Sequence, residues 1–116
     1  ITSRAALGLA TRTSYSATKS GMMGMARTWA LELGQYGITV NTVAPGPIQD
    51  TEMFEAVVPA GSEKLDDMAA SIPVQRLGRS IDVAHAVDFL ADEASGFITG
   101  QTLMVCGGAS LGSLAL

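Results

Sequence analysis

Two short β-branched runs, each preceded by a helical pattern, restrict this chain to one broad kind of fold. Residues 38–43 read Ile-Thr-Val-Asn-Thr-Val, and residues 102–105 read Thr-Leu-Met-Val. Both runs predict strands, and the first is followed by a rigid Ala44-Pro45-Gly46-Pro47 turn. Helices that alternate with short apolar strands favour a parallel sheet covered by helices, so we expect an α/β fold.

The helical pattern before the first run is the clearest in the chain. Residues 14–33 contain no proline, and their apolar side chains recur at steps of three and four along one face. These are Met22, Met25, Ala26, Trp29, Ala30 and Leu33. Gly34 and Gly37 are placed where such a helix would end. The small residues Ala17, Gly21 and Gly24 would permit close contact with a helix of another subunit.

Two further helical stretches lie between the predicted strands. Residues 52–71 form an acidic stretch that Pro59-Ala60-Gly61 interrupts and Pro73 ends. Its Met53, Phe54, Val57, Val58 and Leu65 would cover a substrate. Ser80 is expected to cap the next helix, and Asp82 is favourable in its first turn.

Composition and charge indicate one packed domain over residues 1–116. Hydrophobic residues make up 47% of the chain and charged residues 16%, which is typical of a folded protein. The net charge of −4 argues against a nucleic-acid or anionic-membrane partner, and the seven basic residues are scattered along the sequence. No apolar run reaches the roughly 18–20 residues that a membrane helix needs.

The single cysteine, Cys106, cannot form an internal disulfide and lacks the companions of a metal site. We therefore expect no metal and a reducing, cytoplasmic location. The chain opens on Ile1, and Ile1-Thr2-Ser3 reads like the end of a strand. This start leads us to expect further sequence upstream.

Tyr15 and Lys19 are the strongest candidates for chemistry. They are four residues apart on a predicted helix, so their side chains project from the same face. A nearby ammonium favours a phenolate, and the pair becomes competent to move a proton to or from an alcohol oxygen. Ser3 is placed to supply a hydroxyl that orients a reacting carbonyl. Such a spacing on its own usually indicates a solvated helix face. The neighbouring motifs must therefore decide whether the pair is catalytic.

An ordered set of motifs around this pair resembles the short-chain dehydrogenase/reductase family. The set covers nearly the whole chain: Ser3 with Tyr15-x-x-x-Lys19, then Val40-Asn41-x-Val43-x-Pro45-Gly46, Arg76-x-Gly78 with Asp82-Val83-Ala84, and Ile98-Thr99-Gly100. The resemblance implies the C-terminal part of a Rossmann-type, doubly wound parallel sheet. The N-terminal dinucleotide-binding strands, with their glycine-rich phosphate turn, are absent from the sequence.

The resemblance also implies roles for named residues. Tyr15 would be the general acid/base, Lys19 would hold the ribose hydroxyls of NAD or NADP, and Ser3 would steady the substrate oxygen. The turn Pro45-Gly46-Pro47-Ile48 would receive the nicotinamide. Thr51 would approach the phosphates of the cofactor.

Three departures from the family pattern bear on these roles. Ser3 precedes Tyr15 by twelve residues where thirteen is common, so Thr2 remains a rival. Gln49-Asp50 places Thr51 one residue later than usual. Cys106 stands where the family often has aspartate.

Two functions follow. The first is an NAD(P)-dependent oxidoreductase acting on a small alcohol or ketone, of the 3-oxoacyl reductase type or similar, in a homo-oligomeric parent enzyme (a dimer or tetramer). The second is a truncated, inactive piece retained for packing or oligomerisation. The two differ in cofactor binding, because the phosphate-cradling turn is missing from these 116 residues.

Overall fold

The structure, a computed structural model, describes residues 1–112. Its helices are α1 (Thr13–Leu33), α2 (Glu52–Val57), α3 (Lys64–Ser71) and α4 (Ser80–Ala91), and its strands are β1 (Thr42–Pro45) and β2 (Thr102–Val105). Short 3-10 turns at Arg4–Leu7, Gly34–Tyr36 and Glu93–Ser95 complete the order. The α/β fold class is confirmed, and residues 113–116 of the predicted domain lie outside the described part.

The two strands form a parallel pair in the register Thr42↔Thr102 through Pro45↔Val105. Their first residues also join through side chains, with 2.7 Å between the two threonine Oγ1 atoms. On the opposite edge of β1, the Val43 carbonyl accepts a hydrogen bond from the Thr2 amide at 2.8 Å. The first residues of the chain therefore lie alongside β1, on the side opposite to β2.

The predicted strand over residues 38–43 is wrong in its bounds, since β1 is Thr42–Pro45 and so includes Ala44 and Pro45 of the predicted turn. The partner strand β2 is only four residues long, and its ladder pairs with residues 42–45 alone. Ahead of the ladder, the Asn41 side chain bonds to the Ile98 carbonyl at 2.9 Å and to the Gln101 amide at 3.1 Å. Asn41 thus ties β1 to the loop before β2.

The start of α4 also differs from its prediction. Ser80 is the first residue inside the helix, and the preceding Arg79 occupies the capping position. The carboxylate of Asp82 accepts the Arg79 amide at 2.8 Å, while the Asp82 amide donates to the Arg79 carbonyl at 2.9 Å. A helix begins with amides that have no partner in its own backbone, and here an acid in the first turn supplies one.

Helix α1 covers the predicted residues 14–33 and ends at Leu33, and the 3-10 turn Gly34–Tyr36 that follows is closed by Gly37 with a φ of 74°. Of its apolar stripe, Ala26 and Ala30 are buried, whereas Met25 and Trp29 are both 44% exposed. The core lies under β1, where Ala44 has no exposed surface and Val43 is 4% exposed. Within the described part of the chain, the helices are either too short or too polar to span a membrane.

Candidate active site

A cavity of about 500 Å³ lies where β1 runs into the following turn. All eight residues that the sequence assigned to catalysis or cofactor binding line it. They are Ser3, Tyr15, Lys19, Pro45, Gly46, Pro47, Ile48 and Thr51. Residues from three separate parts of the chain therefore meet at one site.

Tyr15 and Lys19 project from the first turns of α1. The Lys19 Nζ lies 5.7 Å from the centre of the Tyr15 ring, close enough for a cation–π contact, and donates to the Ile1 carbonyl at 3.2 Å. The helix is held in place by two hydroxyls, because Thr2 Oγ1 donates to the Lys19 carbonyl and Ser20 Oγ to the Ala6 carbonyl, both at 2.7 Å. This anchoring fixes the pair against the first residues of the chain.

Thr2 and Ser3 occupy different environments beside this pair. Thr2 is 3% exposed, and its hydroxyl proton is used in the bond to Lys19. Ser3 is half-buried, and its Oγ accepts the Ala5 amide at 3.1 Å as the cap of the Arg4–Leu7 turn. That bond uses the oxygen of Ser3 and leaves its hydroxyl proton available, so Ser3 has a donor to offer in the cavity.

The turn after β1 is shaped by Gly46. A Cβ at this position would lie 2.8 Å from the Cβ of Cys106 and 2.9 Å from its Cα, both closer than van der Waals contact permits. The Gly46 amide donates to the Val105 carbonyl at 2.9 Å. Glycine therefore lets the turn lie directly against the end of β2.

Cys106 has a thiol hydrogen-bonded to the Ser110 hydroxyl, with Sγ and Oγ 3.2 Å apart. Burial by itself would raise the pKa of this thiol, but hydrogen bonds from Ser110 and from the backbone of residues 108–110 leave the pKa below its ordinary value. The side chain is only partly buried. Its role at the site is to form the wall against which Gly46 packs.

The segment after the turn is fixed by backbone bonds to residue 78. Ile48 and Gly78 form a parallel bridge, Gln49 donates to the Gly78 carbonyl, and Gly78 donates to the Pro47 carbonyl, both at 3.0 Å. Thr51 then caps α2, donating from Oγ1 to the Ile48 carbonyl at 3.2 Å and accepting the Phe54 amide at 3.3 Å. The Thr51 hydroxyl therefore serves α2 as well as lining the cavity.

Asp50, next to Thr51, joins this segment to α4. Its Oδ1 accepts both the Ser80 amide at 2.7 Å and the Ser80 hydroxyl at 2.9 Å, and these bonds lower the pKa of Asp50. In the sequence, Asp50 stands out only as part of the Gln49-Asp50 shift before Thr51. Its partner lies 30 residues along the chain, and no local pattern connects the two.

The same region is supported by an ion pair between Arg76, in the loop before α4, and Asp82, in the first turn of α4. The guanidinium donates twice to the carboxylate, at 2.8 and 3.0 Å. Together with the Arg79 amide, this pair of bonds holds the pKa of Asp82 well below its usual range. The matched Arg76-x-Gly78 and Asp82 motifs are thereby one physical unit that anchors the loop opposite Ile48.

The remaining wall of the cavity is apolar. The substrate-covering segment contributes Met53, Phe54, Val57 and Val58 as predicted. Leu65 does not line the cavity; one turn later on α3, Met68 does. Among residues 1–112, no three His, Cys, Asp or Glu side chains are placed to hold a metal ion.

Comparison with known proteins shows which family this chain resembles in sequence and fold. A family model described as enoyl-(acyl carrier protein) reductase matches residues 1–110. The chain is 49% identical over 111 residues to the (2S)-[(R)-hydroxy(phenyl)methyl]succinyl-CoA dehydrogenase subunit BbsD of Thauera aromatica, covering 96% of this chain and 43% of that protein.

It is 43% identical over 103 residues to the 3-oxoacyl-[acyl-carrier-protein] reductase FabG of Staphylococcus epidermidis, covering 89% of this chain and 41% of that one. The structure superimposes on actinorhodin polyketide ketoreductase, solved with NADPH, with a TM-score of 0.85 and 33% identity over 94% of this chain and 45% of that chain. The chain thus spans less than half the length of the relatives it matches. Sequence, fold and site geometry agree that the chain belongs to the short-chain dehydrogenase/reductase family.

Proposed function

We propose that the complete polypeptide carrying this sequence is an NAD(P)-dependent oxidoreductase that interconverts an alcohol and a ketone. The observation that carries the proposal is the meeting of Ser3, Tyr15, Lys19 and the turn after β1 in one cavity of about 500 Å³. A 3-oxoacyl thioester is the substrate class we favour, since relatives named as a succinyl-CoA dehydrogenase and a 3-oxoacyl-[acyl-carrier-protein] reductase share 49% and 43% identity with the chain.

The residues of the cavity fit the nicotinamide end of such a cofactor. The turn Pro45-Gly46-Pro47-Ile48 offers an apolar surface, and Lys19 stands across from it with N–H groups beyond the one that bonds to Ile1. When bound, NAD(P) supplies the hydride chemistry, and the protein supplies geometry and proton handling. We place the ribose hydroxyls at Lys19 and the carboxamide at Ile48.

Proton transfer is the task of Tyr15 in this proposal. Its ring is 40% exposed, and its hydroxyl would donate a proton to the substrate oxygen during reduction and accept one during oxidation. The Lys19 ammonium lies 5.7 Å from the centre of this ring. The Ser3 hydroxyl would donate a hydrogen bond to the same substrate oxygen. The apolar wall of Met53, Phe54 and Val57 would hold the acyl chain and exclude water.

The test is to measure turnover of a 3-oxoacyl thioester by the complete polypeptide with NADH or NADPH. The decrease in cofactor absorbance reports the rate. Tyr15→Phe should lower kcat by a factor on the order of 10²–10⁴, the range that general acid–base catalysis contributes, and leave the Kd for cofactor nearly unchanged. Tyr36→Phe is the matched control, because Tyr36 is 71% exposed and does not line the cavity. Ordinary turnover by Tyr15→Phe would show that Tyr15 is not the proton-transfer residue.

A second candidate function is a packing or oligomerisation piece without catalysis. The exposed apolar side chains of α1 favour it, since Trp29 is 44% and Leu31 is 87% exposed. A complete polypeptide that binds neither NADH nor NADPH, yet forms a stable oligomer through α1, would support this alternative over the enzyme.

A further inference from the structure

The charges around the cavity are all of one sign. A second cavity of about 440 Å³ adjoins the first and shares Ser3, Tyr15 and the turn after β1 with it. Lys19 lines the first cavity, while Arg4 and Arg12 line the second. The chain has 11 acidic and 7 basic residues, yet within residues 1–112 no aspartate or glutamate lines either cavity. Basic residues that are scattered in the sequence thus come together beside Tyr15.

Arg4 directly follows Ser3 and is held in place by its backbone and its side chain. It opens the 3-10 turn Arg4–Leu7, and its Nη1 donates to the Ala109 carbonyl at 3.1 Å. A guanidinium carries five N–H donors in a rigid fork. One bond to a carbonyl therefore leaves Arg4 with donors for a second group.

Arg12 is the more accessible of the two. It precedes the first residue of α1, is exposed, and makes no side-chain hydrogen bond with residues 1–112. No side chain caps this end of α1, and its first turn contains no acidic residue. The positive end of the helix dipole adds to the charge of the guanidinium there.

We propose that Arg12, assisted by Arg4, binds an anionic group on the substrate and so determines which substrates the site selects. This inference rests on the proposed function, because it places the reacting carbonyl at Tyr15 and the anion in the adjoining cavity. Leu9, Met53 and Val57 line that cavity and would contact the carbon chain between the two ends. A carboxylate and a phosphate ester share the chemistry that a guanidinium recognises.

The test uses two matched pairs of ketones and the complete polypeptide that carries this sequence. Levulinate is paired with methyl levulinate, and acetoacetyl-coenzyme A with acetoacetyl-N-acetylcysteamine, so that each pair differs in the presence of the anion. Binding is measured by calorimetry without cofactor, and therefore without turnover. The variants are Arg12→Gln, Arg12→Lys and Arg27→Gln. Arg27 is an exposed residue of α1 that lines neither cavity.

We expect Arg12→Gln to weaken the binding of the anionic member of a pair by about tenfold or more, which is the scale of a charge-assisted hydrogen bond. The neutral member should change by less than about twofold, Arg12→Lys should recover most of the affinity, and Arg27→Gln should behave as the unchanged protein. If Arg12→Gln loses affinity for levulinate, the anion is a carboxylate. If it loses affinity for the coenzyme A thioester alone, the anion is a phosphate.

Equal effects of Arg12→Gln on the charged and neutral members, or no effect on either, would overturn the inference. This outcome is separate from failure of the proposed function. A protein that reduced none of the four ketones but still lost affinity for the anion in Arg12→Gln would reject the oxidoreductase proposal and keep the anion site.

Discussion

The Lys19 ammonium lies 5.7 Å from the centre of the Tyr15 ring while one of its protons bonds to the Ile1 carbonyl. The pair is therefore anchored to the first residue of the chain, and the ammonium keeps N–H groups for a ligand. Lys19→Met preserves the length of the side chain and removes the charge. We expect a weaker Kd for NAD(P)H and a fall in kcat on the order of 10²-fold, the lower end of what positioned acid–base groups contribute.

Lys64→Met is the matched control for this change. Lys64 is the other lysine of the chain and lies exposed at the start of α3. Stopped-flow binding of NADPH and steady-state turnover would report the two effects separately. Comparable losses in the two lysine variants would show that Lys19 has no special place in the site.

The contrast between Ser3 and Thr2 gives a second prediction. Ser3→Ala removes a hydroxyl whose proton is available in the cavity, so kcat should fall by roughly tenfold or more, and the loss of its bond to the Ala5 amide should lower the free energy of unfolding by about 0.5–1 kcal/mol. Thr2→Val instead removes the bond that the buried Thr2 hydroxyl donates to the Lys19 carbonyl, an acceptor that α1 still pairs within its own backbone. It should lower the free energy of unfolding by about 0.5–1.5 kcal/mol, the net value of one hydrogen bond, and leave kcat nearly unchanged. Thermal unfolding and kcat, measured on both variants, would detect a reversal of these roles.

A third prediction concerns the contact between Gly46 and Cys106. Gly46→Ala would place a Cβ 2.8 Å from the Cys106 Cβ, so the turn or β2 must shift, and we expect a loss of about 1–3 kcal/mol in the free energy of unfolding. Gly24→Ala is the opposite case, because nothing lies within 4 Å of a Cβ there and the position is inside α1. That variant should gain about 0.5–1 kcal/mol. Denaturant unfolding of both proteins would reveal any departure from this order.

The ion pair at the start of α4 predicts a dependence of stability on pH. Hydrogen bonds from Arg76 and the Arg79 amide lower the pKa of Asp82 in the folded protein. The ionised carboxylate therefore stabilises the fold above its unfolded pKa of about 3.9, and this stabilisation is lost as the pH falls toward the lower folded value. Asp82→Asn should lower the midpoint of thermal unfolding near neutral pH and differ less from the parent protein in acid.

Asp88→Asn provides the comparison for that experiment. Asp88 is an exposed residue of the same helix whose carboxylate makes no hydrogen bond with residues 1–112. Its replacement should leave the pH profile of unfolding unchanged. A gap between Asp82→Asn and the parent that stayed constant from neutral pH into acid would exclude the assigned role of the Asp82 charge.

The fifth prediction concerns the 116 residues as a separate polypeptide. Dinucleotide binding uses a glycine-rich turn at a helix N-terminus to hold the phosphates, and this sequence has none. We therefore expect no saturable change in NADPH fluorescence when the isolated chain is titrated at micromolar concentrations. Micromolar binding would mean that residues 1–116 hold the cofactor through contacts other than that turn.

Most elements were predictable from the sequence, because their signals are local, and the candidate site residues that the sequence singled out line one cavity. Helix α1 has a long uninterrupted apolar stripe, and its first turns carry Tyr15 and Lys19. The bounds of β1 were not predictable, since they depend on a partner strand that pairs with only four residues. The same holds for Arg4 and Arg12, whose place beside Tyr15 depends on how the segment before α1 folds back.

The bond between Asp50 and Ser80 illustrates the remaining difficulty. The two residues are 30 positions apart in the sequence. One belongs to a turn and the other to a helix, and no repeating sequence pattern links the two segments. Ser80 was expected to cap α4 and instead lies inside the helix as a donor to Asp50. Capping residues are recognised by type and position, and Ser80 has the right type one position too late.

The glycines near the end of β2 have a consequence for how such a site can change over generations. Gly46 lies against Cys106, and side chains at Gly107 or Gly108 would meet Ile72, Val74 or Pro73. The floor of the pocket is thus glycine packed against the side chains of its neighbours, with no room for a Cβ. The opposite wall consists of methionine, phenylalanine and valine, which can be replaced one at a time. Substitutions in this wall can therefore change the substrate range, while the surface proposed for the cofactor stays the same.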